Sequence, residues 1–90
     1  MARASKWQRY RMLRDLITRA VEEANDNTPE DERTDYIFLA VSPDLSEVIA
    51  TYKVWWDDDR LSEANDKGWF IDDAPADDPE SVAELYFDLR

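Results

Sequence analysis

Tyr36-Ile37-Phe38-Leu39-Ala40-Val41 is the stretch on which the fold turns. It is rich in strand formers, with no glycine, proline or charge, and it predicts a strand. Alternation puts Tyr36, Phe38 and Ala40 on one face and Ile37, Leu39 and Val41 on the other. A strand with one wet face alternates apolar with polar residues. This one is apolar on both, so it is central in its sheet, or its second face is covered by another helix or by a partner.

Working outward, Ser42-Pro43-Asp44-Leu45 reads as a turn with Pro43 at the second position of type I. Residues 48–56 follow as a second strand, closing a hairpin. Trp55 and Trp56, adjacent on that strand, are expected on opposite faces. Upstream, Ser5 is the expected N-cap of a helix whose apolar face runs through Tyr10, Leu13, Ile17, Ala20 and Ala24, joined by Leu16 and Val21. Arg11, Asp15, Thr18 and Glu22 lie opposite, and Asn25-Asp26-Asn27-Thr28-Pro29 ends the helix. Downstream, Asp57-Asp58-Asp59 ends the second strand, residues 60–66 form a short helical turn, and Gly68, the only glycine, takes a left-handed position. Residues 68–71 read as a third strand and residues 72–78 as a polar loop. Asp78 is then expected to cap a last helix, with Pro79 first and Val82, Leu85, Tyr86 and Leu89 on its apolar face. The expected architecture is α+β: one domain, residues 1–90, with a small, mainly antiparallel three-stranded sheet in the order α-β-β-(short α)-β-α and the N- and C-terminal helices packed on it.

Charge is the strongest functional signal. The 90 residues carry a net −11, distributed unevenly. Residues 1–21 hold six bases (Arg3, Lys6, Arg9, Arg11, Arg14, Arg19) against Asp15, about +5; the rest hold five bases against 21 acids, about −16. The expectation for the basic helix is that its arginines pair with loop acids such as Glu30, Asp31 or Asp72. The absence of cysteine fits a reducing compartment, and a cytoplasmic location is expected. No apolar run approaches the roughly 20 residues that cross a bilayer. The arginine-rich start has a transit-peptide composition, but its helical pattern continues into Glu22, Glu23 and Ala24, where a cleavable leader would stop.

Catalytic chemistry finds little support. Without histidine or cysteine, the usual near-neutral acid–base group and the best thiolate nucleophile are missing. One glycine excludes Gly-rich phosphate loops. An EF-hand begun at Asp57 fails at Leu61, Ser62 and Gly68, where ligand, glycine and glutamate are required. Neither a metal nor a cofactor is expected.

The acids remain. Duplex DNA carries one charge per roughly 1.7 Å of axis, and its partners bind through Lys/Arg surfaces. A protein presenting carboxylates at comparable density would occupy such a surface, as small acidic phage-encoded inhibitors of restriction, CRISPR or DNA-packaging machinery do. That analogy is one of charge and size. The expected function is therefore a non-enzymatic interaction protein, most concretely a phage or mobile-element inhibitor. Asp57, Asp58, Asp59, Asp72, Asp73, Asp77 and Asp78 would meet a basic nucleic-acid-binding protein, with Trp55 or Trp69 as apolar anchor. Direct contact with nucleic acid or membrane is not expected, because the field of the chain opposes it. The competing expectation is an assembly protein, a homodimer joined through Ile37, Leu39, Val41 and Ile49. Simple solubility, or adaptation to a salty cytoplasm given 14 aspartates against 8 glutamates, would also account for the acids.

Overall fold

The computed structural model describes residues 5–88. Helix α1 (Lys6–Asp26) starts as its sequence requires. Ser5 Oγ accepts the Gln8 N–H at 3.1 Å and Gln8 Oε1 accepts the Ser5 N–H at 2.8 Å, a capping box that satisfies two otherwise orphaned donors. Leu13, Ile17, Ala20, Val21 and Ala24 are buried, while Arg11, Asp15, Thr18 and Glu22 are exposed. Arg33 closes the far end from outside. Its Nη2 donates to the Asn25 carbonyl at 2.8 Å and its Nε to that of Thr28 at 3.1 Å, which places a cation at the negative end of the helix.

Three antiparallel strands, β1 (Tyr36–Val41), β2 (Val48–Thr51) and β3 (Phe70–Pro75), form a sheet in the order β2-β1-β3. The doubly apolar β1 is central; one face is covered by α1 and α3 and the other in part by α2. On one face Ile37, Leu39 and Val41 meet Leu13 and Ile17 of α1 and Val82 and Ala83 of α3 (Ser81–Tyr86). On the other, Leu61 and Ala64 of α2 (Asp59–Asp66) pack over Ala40. Strands β2 and β3 both oppose β1, so they run parallel to each other, and α2 is the crossover that joins them. A Schellman turn ends α2: Gly68 N–H bonds Asn65 O and Trp69 N–H bonds Ala64 O, both at 3.0 Å, with Gly68 at φ 82°.

Several expectations need correction. The face proposed for a homodimer is already the main core: Ile37, Leu39 and Val41 are 0% exposed beneath α1, and Ile49 points to the opposite side with Ala40. The second strand stops at Thr51, not at residue 56. Thr51 Oγ1 accepts the Lys53 N–H at 3.2 Å, a side-chain turn that competes with the ladder, and Trp55–Asp57 form a 3₁₀ turn. Trp55 and Trp56 are therefore not strand neighbours. The third strand runs on to Pro75 through Asp72 and Asp73, because pairing with β1 outweighs weak strand propensity at a sheet edge.

The last helix begins at Ser81. Asp78 contributes its main-chain carbonyl, which accepts from Ser81 N–H and Oγ, and not a side-chain cap. Leu85 is 44% exposed rather than part of an apolar face. Leu89 and Arg3 lie outside the described residues. Finally, among the described residues the ion pairs are Arg60–Asp58 and Lys67–Glu63. The bases of α1 do not pair with Glu30, Asp31 or Asp72. Two of them lie on aromatic rings instead: Arg9 is 5.6 Å from the Phe87 centroid and Arg14 is 5.7 Å from that of Tyr10.

Candidate partner-binding face

Helix α2 is 8 residues, about 12 Å long, against about 20 Å for β1. It covers only part of the sheet face on which it lies. Leu61 is fully buried, but the residues around the helix are not. Phe38, Ile49, Trp55, Trp69 and Ile71 are half-buried, Tyr36 is 56% exposed and Trp56 62%. Trp56 meets Trp55 edge to face, ring centroids 5.5 Å apart and planes at 87°, which leaves one indole seated on the second core and the other in solvent. This face is apolar at its centre and acidic around its margin.

Two grooves flank α2. The one toward β3 has a volume of about 240 Å³ and is lined by Phe38, Trp55, Asn65, Ile71, Asp72 and Asp73. The one toward β2, about 230 Å³, contains Ile49, Trp69, Glu47, Arg60, Glu63 and Lys67. Trp55 and Trp69 therefore stand on opposite flanks and do not share an anchor point.

The acids named from sequence divide accordingly. Asp72 and Asp73 share the β3 groove with Trp55. Register places Asp73 directly across from Phe38 and Asp72 across from Leu39, so their side chains leave opposite faces of the strand. The Asp72 Oδ1 accepts the Asp73 N–H at 2.8 Å at the free edge of β3, and both acids also line a depression on the α3 side with Pro75, Ser81, Val82 and Leu85. Asp57 and Asp59 are exposed where the 3₁₀ turn enters α2. Asp58 between them caps α2, accepting from Arg60 N–H at 2.9 Å and Leu61 N–H at 3.2 Å, so its role is structural. Asp77 lines a separate depression with Thr34, Asp35, Tyr36, Pro75 and Ala76, and Asp78 lies beyond it at the entry to α3.

Residue-by-residue reading of the sequence missed Tyr36, Phe38, Ile71 and Trp56 as parts of this face. The signal was present in the even-numbered, wholly apolar face of β1 set against a helix too short to cover it. Among the described residues no three carboxylates converge closely enough to hold a metal ion. No helix there is long and apolar enough to cross a membrane.

The other face of the sheet, beneath α1 and α3, has a different character. Trp7, Tyr10, Phe87, Tyr86 and Phe70 form a chain of edge-to-face contacts with centroids 5.0–6.2 Å apart, flanked by Arg9 and Arg14. Comparison with known proteins finds no matching family model, no matching curated protein and no matching solved structure.

Proposed function

We propose that the chain is a non-enzymatic binding protein. Its α2 face would take a basic, nucleic-acid-binding protein in place of nucleic acid, most concretely as an inhibitor carried by a phage or mobile element. The observation that carries this reading is the combination on one face of exposed aromatic surface with carboxylates that lack a counter-ion. Among the described residues Asp57, Asp59, Asp72 and Asp73 have no ion pair, and Trp56 and Tyr36 leave more than half their surface to solvent. Aromatic centres with a polar margin are the anatomy of protein interfaces, and tryptophan and tyrosine are enriched among their energetic anchors. Uncompensated carboxylates beside them favour a positively charged partner and disfavour nucleic acid itself.

The test is affinity capture with the full chain, followed by competition and salt titration on the captured protein. A basic partner that duplex DNA displaces competitively is the expected result. Replacing Asp57, Asp59 and Asp73 together by lysine should weaken the complex roughly tenfold or more, about 1.4 kcal/mol. Asp58 is left intact so that α2 keeps its cap. Raising the salt should act in the same direction. A partner that is not basic, is not displaced by DNA, or is insensitive to the three reversals would overturn the reading.

A further inference from the structure

The geometry points to arginine, rather than lysine or a diffuse positive surface, as the side chain that the groove between α2 and β3 accepts. This inference rests on the reading of the α2 face as a site for a basic partner. The groove, about 240 Å³, has a two-part lining. Its floor is apolar, made by Phe38, Ile71 and the half-buried Trp55. Its margin is polar and anionic: Asp73 across from Phe38, Asp72 held at the strand edge through the Asp73 N–H, and the amide of Asn65 from α2.

An apolar side chain would fill the floor but strip water from two carboxylates with no compensating charge. A short cation would meet the carboxylates and leave the floor wet. A long, amphipathic cation satisfies both, its methylene stem on Phe38 and Ile71 and its head at the margin. Lysine and arginine both have that shape, and two features of the margin separate them. The acceptors are several and adjacent: Asp72 is tied to the backbone, and Asp73 stands on the strand directly across from Phe38. A planar guanidinium with five donors can serve several adjacent acceptors, whereas an ammonium acts as a single point charge. An indole beside them adds stacking, which a weakly hydrated guanidinium exploits better than a strongly hydrated ammonium.

The experiment titrates the full ¹⁵N-labelled chain with three peptides alike except at three positions, which carry arginine, lysine or citrulline. The expected result is an arginine peptide that binds at least about fivefold more tightly than the lysine peptide, with citrulline weaker than both. The shifts should concentrate on the Trp55 indole N–H and the amides of Phe38, Ile71 and Asp73. Asp72→Asn with Asp73→Asn should abolish the arginine preference; each asparagine keeps an acceptor oxygen, and an unchanged amide spectrum elsewhere confirms the fold. Equal affinity for arginine and lysine at this groove overturns the inference and leaves the reading of the face standing. Shifts confined to Trp69 and the β2 side, or scattered over all acidic loops, also overturn it. Failure of either cationic peptide to perturb any residue of the α2 face overturns the inference and the functional reading together.

Discussion

Leu45 occupies a left-handed backbone conformation, φ 57°, and is nonetheless 5% exposed, its side chain in the main core. That geometry costs an ordinary L-residue roughly 1–2 kcal/mol, and a set of short local bonds holds it. Leu45 N–H bonds Ser42 O at 3.0 Å. Asp44 Oδ1 accepts from Ser42 Oγ at 2.9 Å, Ser46 Oγ at 2.7 Å and Ser46 N–H at 3.2 Å. The hydrogen bond from the Ser46 hydroxyl, then those from the Ser42 hydroxyl and the Ser46 backbone, lower the pKa of Asp44 below its ordinary value. A carboxyl with a depressed folded-state pKa stabilises the fold in full above its unfolded value, near 4, and loses that contribution as pH falls through the folded value. The difference in urea stability between the native chain and Asp44→Asn should therefore be largest above about pH 4.5 and shrink toward zero below it. A difference that is flat from pH 6 to pH 2.5 would show that the charge on Asp44 does not hold the turn.

At the scale of elements, what the sequence made legible was what apolar spacing and capping decide. The double apolar face of β1 announced a central strand, Ser5 announced the start of α1, and Gly68 its left-handed turn. What spacing could not show was where tertiary pairing overrides composition. Val54, Trp55 and Trp56 have strand composition, yet the Thr51 hydroxyl turns the chain away. Asp72, Asp73 and Pro75 have loop composition, yet β1 recruits them. The candidate site was legible as charge and tryptophan, but which acid meets which aromatic depends on that extended register. The composition of β3 also fits its place at an edge. Asp72 supplies the acceptor for the Asp73 N–H, and Pro75 has no N–H to offer, so the free side of the strand is a poor template for another chain. Asp72→Val with Pro75→Val, which removes the acceptor and restores an N–H, should leave the monomer fold intact and produce concentration-dependent association, read by light scattering at neutral pH. A double variant that stays monomeric at the highest concentration would show that the edge is guarded by other means.

Across the whole molecule the charges act against folding. With net −11, and with the ion pairs Arg60–Asp58 and Lys67–Glu63 both at exposed cations, carboxylates such as Asp57, Asp59, Asp72 and Asp73 have no cation paired with them among the described residues. Each such exposed pair is worth no more than about 1 kcal/mol. Arg9 and Arg14 of α1 lie over the rings of Phe87 and Tyr10. Compact like charge destabilises the folded state, and salt relieves it by shortening the screening length from about 30 Å at 0.01 M to a few ångströms near 1 M. Raising sodium chloride from about 0.01 M to about 0.5 M should therefore raise Tm by roughly 4–8 °C, equivalent to about 1 kcal/mol for a chain of this size. The same titration should weaken binding to a basic partner, because there the carboxylates attract. Folding and binding respond to salt with opposite signs only if the same acids are repulsive within the chain and attractive across the interface. Thermal melts and affinities measured over one salt series test that relation directly. A Tm that is flat or falls with salt would mean that attractive charge pairs already dominate the folded chain, and that the acids are arranged for stability rather than held ready for a partner.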